Sequence, residues 1–113
     1  MENHKKVLIV GEGNLSFSCA FHTSYVLNSQ SEFYQCQIIG TTFESETECL
    51  RKYGVELTMK NIEYLKENKQ TVLHEIDATN LSNCLKGINT SNIRKIIFNF
   101  PHTGKKAAIQ NNR

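Results

Sequence analysis

The chain has 113 residues, 39% hydrophobic and 21% charged, and its 13 basic against 11 acidic side chains leave a formal charge of +2. That profile fits one soluble globular domain: a chain of this length buries roughly two-thirds of its extended surface, enough for one core and not two. With one proline, six glycines and no repeat, collagen-like and low-complexity architectures are excluded.

The first apolar run, Val7 to Val10, is far shorter than the roughly 20 residues of a membrane span, so an intracellular location and no membrane partner are expected. Cys19, Cys36, Cys49 and Cys84 are widely spaced without a Cys-x-x-Cys pair and read as buried reduced thiols; no metal site is expected. Lys105, Lys106 and Arg113 crowd the C-terminus with no carboxylate nearby, a local basic cluster of the kind that binds RNA phosphates.

Lys6 to Val10 reads as a buried strand, a β-branched run that meets Gly11 where it would have to turn. Leu15, Phe17, Ala20, Phe21 and Ser24 then fall at helical spacing, predicting a helix to about Asn28 with Asn14 or Ser16 as its cap. Gln35 to Thr42 is a second strand. A helix opens at Ser45 with Glu46 and Glu48 in its first turn and stops at Gly54 after Tyr53. The next helix buries Met59, Ile62 and Leu65. Thr71 to Ile76 is a third strand ending at Asp77, Leu81 to Lys86 a short helix, and Ile93 to Phe98 a fourth, strongly apolar strand. Strand and helix alternate throughout, which predicts an α/β domain with a parallel sheet and helices on both faces.

In such a sheet ligands bind outside the carboxyl ends of the strands. After the first strand, Gly11 and Gly13 in Gly11-Glu12-Gly13-Asn14-Leu15-Ser16 allow a tight turn and close backbone approach to a ligand; a plain structural turn reads equally from a Gly-x-Gly, and Ser16 stands where a dinucleotide fingerprint has its third glycine. After the second, Glu44 is either a ribose ligand or an N-terminal helix charge. After the third, Asp77 either accepts from an adenine amino group or caps the next helix. After the fourth, Asn99-Phe100-Pro101-His102-Thr103-Gly104 offers a base-edge partner, a stiff loop and a ring that stacks; the plainer alternative is a Pro-Gly loop with an exposed histidine.

Val10-Gly11-Glu12-Gly13-Asn14-Leu15-Ser16-Phe17-Ser18 and Ile96-Ile97-Phe98-Asn99-Phe100-Pro101-His102-Thr103-Gly104, with Asp77-Ala78-Thr79 between them and Asn112-Arg113 after, resemble the signature of the eukaryotic rRNA (uridine-N3) methyltransferase-like proteins. The resemblance implies a Rossmann-like class I methyltransferase fold, S-adenosyl-L-methionine as cofactor, N3 of a uridine in large-subunit rRNA as target, and a nucleolar location, with cytoplasm as the alternative. Some relatives carry this domain joined to a ferredoxin-fold anticodon-binding domain.

Position by position, the resemblance places Gly11, Glu12, Gly13 and Asn14 at the methionine end of the cofactor, Thr42 to Glu44 by its ribose, and Asp77 with Ala78 by its adenine. Asn99, Pro101 and His102 fall on the Asn/Asp-Pro-Pro-aromatic motif of base-N methyltransferases, as the catalytic set. Phe100 replaces the motif's first proline, His102 its aromatic residue, and Leu15 stands where the family carries Phe. Uracil N3 is a protonated imide at neutral pH, which makes His102 the candidate base and Asn99 the group that positions the base edge. The implied sheet order, 3-2-1-4, leaves the fourth strand as an apolar edge. Residues 1–113 are accordingly expected to be the N-terminal part of a methyltransferase domain, its first four strands, with a C-terminal half or partner chain to complete it. Two other functions are weighed: a non-catalytic fragment that binds cofactor or RNA, and an NAD-dependent oxidoreductase, which explains the Gly-x-Gly turn but not the Asn99 to His102 segment.

Overall fold

The computed structural model describes residues 5–88 and 90–99. The apolar run after Lys5 forms β1 (Lys6–Glu12), buried from its second residue to its last. It lies between β2 (Gln37–Thr42) and β4 (Ile93–Phe98), with β3 (Thr71–Leu73) outside β2, in one parallel sheet of order β3-β2-β1-β4. A strand covered on both faces needs apolar residues at every position, which is why Val7 to Val10 shows no alternation.

On one face Val7, Ile9 and Ile38 pack with Phe21, Val26, Phe33 and Cys36. On the other, Leu8, Val10 and Ile39 meet Ile76 and Leu85. A third cluster, Leu15, Ile62 and Leu65, joins α1 (Ser16–Phe21) to α3 (Val55–Glu67). Gly40 makes the approach of α1 possible: a Cβ there would lie 2.6 Å from Ser18 Oγ and 3.2 Å from Leu15 Cδ2. Helices thus cover both faces, as the strand-helix alternation predicts, and the sheet order is the expected one.

Several element ends differ from expectation. The first helix does not run on to Asn28; after Phe21 it widens into a π-helical segment (His22–Val26), closed by the Leu27 N–H on the His22 carbonyl, five residues back. Its entry turn is held by Asn14 Oδ1, which accepts from the Ser16 N–H, with Leu15 at φ 67°. β2 starts two residues late because Gln35 adopts φ 65° and its N–H is tied to the Val26 carbonyl. β3 stops at Leu73, ahead of Glu75 at φ 63°, although Ile76 still donates to the Thr42 carbonyl. A 3-10 turn (Ala78–Asn80) leads into α4 (Leu81–Cys84), shorter than the expected helix to Lys86.

The helix opening at Ser45 is α2 (Glu46–Tyr53); the Ser45 hydroxyl accepts from the Glu48 N–H, and Gly54 ends it at φ 102°. β4 matches its expected span, and Ile96 and Phe98 stand exposed along the edge. The four cysteines are free, and among the described residues no group of side chains is arranged to hold a metal ion and no helix is long and apolar enough to cross a membrane.

Candidate functional site

The carboxyl end of the sheet opens into a cavity of about 370 Å³, within the roughly 300–1,000 Å³ typical of small-molecule sites. Val10, Gly11 and Glu12 from the end of β1 form its floor, Phe43 and Glu44 follow β2, Lys52 and Tyr53 close α2, and Ile76 to Thr79 follow β3. Gly11 sits at φ 88°, a conformation a side chain would strain. At Gly13 a Cβ would fall 2.8 Å from Tyr53 Cζ, so the tyrosine ring rests directly on the glycine backbone. A wider hollow of about 530 Å³ lies around His22, Gln37 and Gln70, at the amino ends of β2 and β3; the carboxyl end is where open parallel sheets bind ligands.

The cavity rim carries opposite charges. Lys52 Nζ lies 2.9 Å from Glu44 Oε2 and 5.7 Å from the Tyr53 ring centre, and the Glu44 contact pushes the Lys52 ammonium above its ordinary pKa. Glu44 therefore lines the cavity and holds an ion pair with the last turn of α2, while the acids of that helix's first turn are Glu46 and Glu48. Thr42 is fully buried; its hydroxyl donates to the Glu44 carbonyl at 2.7 Å and lies 2.8 Å from His74 Nδ1, shaping the turn beneath Glu44 without lining the cavity. Asp77 lines the cavity and also caps: Oδ1 accepts from the Thr79 N–H at 2.9 Å and its hydroxyl at 2.7 Å, which holds the carboxyl below the usual range. Ala78 lies beside it.

Glu12 is the buried charge of the site, 2% exposed. Its Oε2 accepts from the Ser18 N–H at 2.7 Å and from the Ser18 hydroxyl, while Oε1 faces Asn99 Nδ2 at 3.5 Å. Burial pushes the carboxyl above the ordinary Glu range, and the Ser18 donors pull in the opposite direction. Asn99 itself is anchored by its N–H on the Val10 carbonyl at 2.6 Å, one step beyond the β1–β4 ladder. Asn14 Oδ1 caps the turn and its carbonyl accepts from Asn61 Nδ2 at 2.8 Å, so Asn14 braces the glycine turn against α3 and does not line the cavity.

Gly11, Glu12, Glu44, Asp77 and Ala78 are thus brought together around one cavity, with Gly13 beneath Tyr53. Pro101, His102, Lys105, Lys106 and Arg113 lie outside the described residues. Tyr53, Lys52 and Ser18 are the side chains at the site that motif reading passes over. Tyr53 carries a usable signal, an aromatic residue just before the glycine that stops the helix after the second strand. Ser18 closes the Val10 to Ser18 segment of the resemblance without a role of its own, because only the packing of α1 on Gly40 brings it to Glu12.

The family model described as rRNA (uridine-N3-)-methyltransferase BTM5-like matches residues 8–113. The human ferredoxin-fold anticodon-binding domain-containing protein 1 is 29% identical over 109 residues, and its mouse homolog 28% over 109; both alignments cover 96% of this chain and 16% of the relative. Heavy metal-associated isoprenylated plant protein 41 of Arabidopsis thaliana is 32% identical over 102 residues, 90% of this chain and 18% of the relative. The chain therefore spans about a sixth of the length of the mammalian relatives it matches. No solved structure matches.

Proposed function

The chain belongs to the BMT5-like rRNA (uridine-N3-)-methyltransferase family, and from that premise we propose that it is the cofactor-binding part of an S-adenosylmethionine-dependent enzyme that methylates N3 of a uridine in large-subunit rRNA, acting in the nucleolus. The observation that carries this reading is the convergence of the Gly11 turn, the Glu44 carboxylate and the Phe43, Ile76 and Ala78 walls on one cavity at the carboxyl end of the sheet.

Those residues fit the cofactor by chemistry. Phe43, Ile76 and Ala78 offer apolar surface for a flat adenine, Glu44 offers a carboxylate to a ribose diol, and the bare backbone at Gly11 admits the methionine end. Asp77 keeps Oδ1 for its own turn and has its second oxygen to offer an adenine amino group. When bound, S-adenosylmethionine supplies an electrophilic methyl on a sulfonium. The protein's own work is on the base: His102 takes the imide proton from uracil N3, Asn99 holds the base edge, and Pro101 stiffens the loop between them. Lys105, Lys106 and Arg113 hold phosphates of the RNA, which makes binding weaken as salt rises.

Calorimetric titration of the 113-residue chain with S-adenosylmethionine, with NADH in parallel, tests the cofactor. Saturable binding of the first alone is expected, lost in Gly13→Arg because the arginine must displace Tyr53. Binding of NADH, or of neither by a folded chain, removes the reading. Methyl transfer to large-subunit rRNA fragments then tests the reaction: His102→Ala is expected to lower turnover at saturating RNA by about 100-fold or more, and full turnover in that variant rejects the base role. Cofactor binding with no transfer to any uridine points to a non-catalytic binding fragment.

A further inference from the structure

Glu12, the last residue of β1, and Asn99, the first after β4, are separated by most of the chain, yet their side chains face each other at the carboxyl ends of these adjacent strands. We infer that Glu12 is a positioning residue: held by Ser18, it fixes the orientation of the Asn99 amide so that Asn99 presents its carbonyl oxygen, an acceptor, to the substrate base. The inference rests on the methyltransferase reading for what Asn99 meets, and on geometry alone for the pairing.

The geometry runs outward from α1. Ser18 is fully buried and donates twice to Glu12 Oε2, from its N–H at 2.7 Å and from its hydroxyl. Those donors hold Oε2 and leave Oε1 as the oxygen turned toward Asn99, 3.5 Å from Nδ2. Ionised, Glu12 only accepts, so it selects the nitrogen arm of the amide. An amide carries its donor and acceptor on separate arms; with Nδ2 committed inward, Oδ1 is turned away from Glu12. The Asn99 backbone is pinned by its N–H on Val10, so the side-chain torsion is what remains for Glu12 to set. N3–H is the one donor on a uracil's pairing edge, so an acceptor at Asn99 holds that group in the neutral base until His102 takes its proton.

Substituting the pair separates this role from a merely structural one. In Glu12→Gln the side-chain oxygen still takes the Ser18 donors, and the new amide nitrogen meets Asn99, which rotates to bring its carbonyl inward and its NH2 outward. In Glu12→Gln/Asn99→Asp the aspartate accepts from Gln and presents its second oxygen outward, restoring the acceptor. The 113-residue chain is labelled with 15N and the Asn99 side-chain NH2 resonances are followed, alongside methyl transfer by the same chain. Expected are a large shift of those resonances in Glu12→Gln, a fall in kcat of about 100-fold with KM for RNA and the thermal midpoint little changed, and recovery of most of the kcat in the double variant. Unmoved Asn99 resonances in a folded Glu12→Gln chain overturn the pairing. Moved resonances with kcat unaltered, or with no recovery in the double variant, overturn the positioning role. Should the wild-type chain transfer no methyl group, the functional reading and the acceptor role built on it fall together, while the resonances still decide the pairing.

Discussion

The two halves of the sheet's carboxyl end are built in opposite ways. Where β1 and β4 end, the polar groups are used up inside the protein: Glu12 is buried on Ser18 and faces Asn99, and Asn14 braces its own turn and receives Asn61. Where β2 and β3 end, the side chains that line the cavity stay at the surface above a buried Thr42: Phe43 is 61% exposed, Glu44 meets Lys52 in an exposed ion pair, and Asp77 caps a single turn. The difference teaches that one half is a fixed frame, in which any change propagates into the core, and the other an adjustable rim, whose contacts a ligand can exchange at little cost.

The largest effect expected from that contrast is at Gly40, the point on which the fixed half rests. Gly40→Ala places a methyl against Ser18 Oγ and Leu15 Cδ2, deep between sheet and α1, where both neighbours are fully buried. A loss of about 1–3 kcal/mol is expected, and a fall in Tm of roughly 5 °C or more in a thermal melt. A neutral Gly40→Ala would show that α1 yields and that the frame is not fixed.

The pH dependence of stability is the next test. Unfolded, Glu12 ionises near 4.5, and the native chain holds its proton to higher pH because burial disfavours the charge. The native state thus binds more protons than the unfolded state between those two pKa values, so stability falls as pH rises from about 4.5 through the native pKa. Urea midpoints taken from about pH 4 to about pH 8 should decline more steeply in the wild type than in Glu12→Gln, which cannot ionise. Parallel curves would mean that Glu12 is solvated and belongs to the rim.

The smallest effects are expected on the rim. Asp77→Ala removes the cap on the Ala78–Asn80 turn and should lower Tm by less than Gly40→Ala. Lys52→Ala breaks only an exposed pair and should leave Tm within error, while a calorimetric titration with S-adenosylmethionine should show affinity retained or improved, since Glu44 is released. A Lys52→Ala chain that melts as early as Gly40→Ala would erase the distinction between the halves.

The sequence alone was enough for the class of fold. Strand and helix alternate in period, Val7 to Val10 is apolar at every position, Ser45 and Gly54 bracket a helix, and these local preferences agree with the final sheet because each is a property of a few neighbouring residues. Element ends were less legible. The late start of β2 and the early end of β3 depend on backbone turns at positive φ, at Gln35 and Glu75, that neither residue type announces.

At the site, the sequence located the turn after β1 by its glycines, but it did not determine the direction of any side chain. The family resemblance places Glu12 at the cofactor, and the fold turns its carboxylate inward to Ser18 and toward Asn99. Lys52 and Tyr53 read as the end of a helix, and the packing of α2 carries them over Gly13 and Glu44. The physical reason is common to both: motif and periodicity record which residues are near in the chain, whereas a buried carboxylate's partners and a cavity's walls come from elements tens of residues apart, brought together only when the sheet and its helices close.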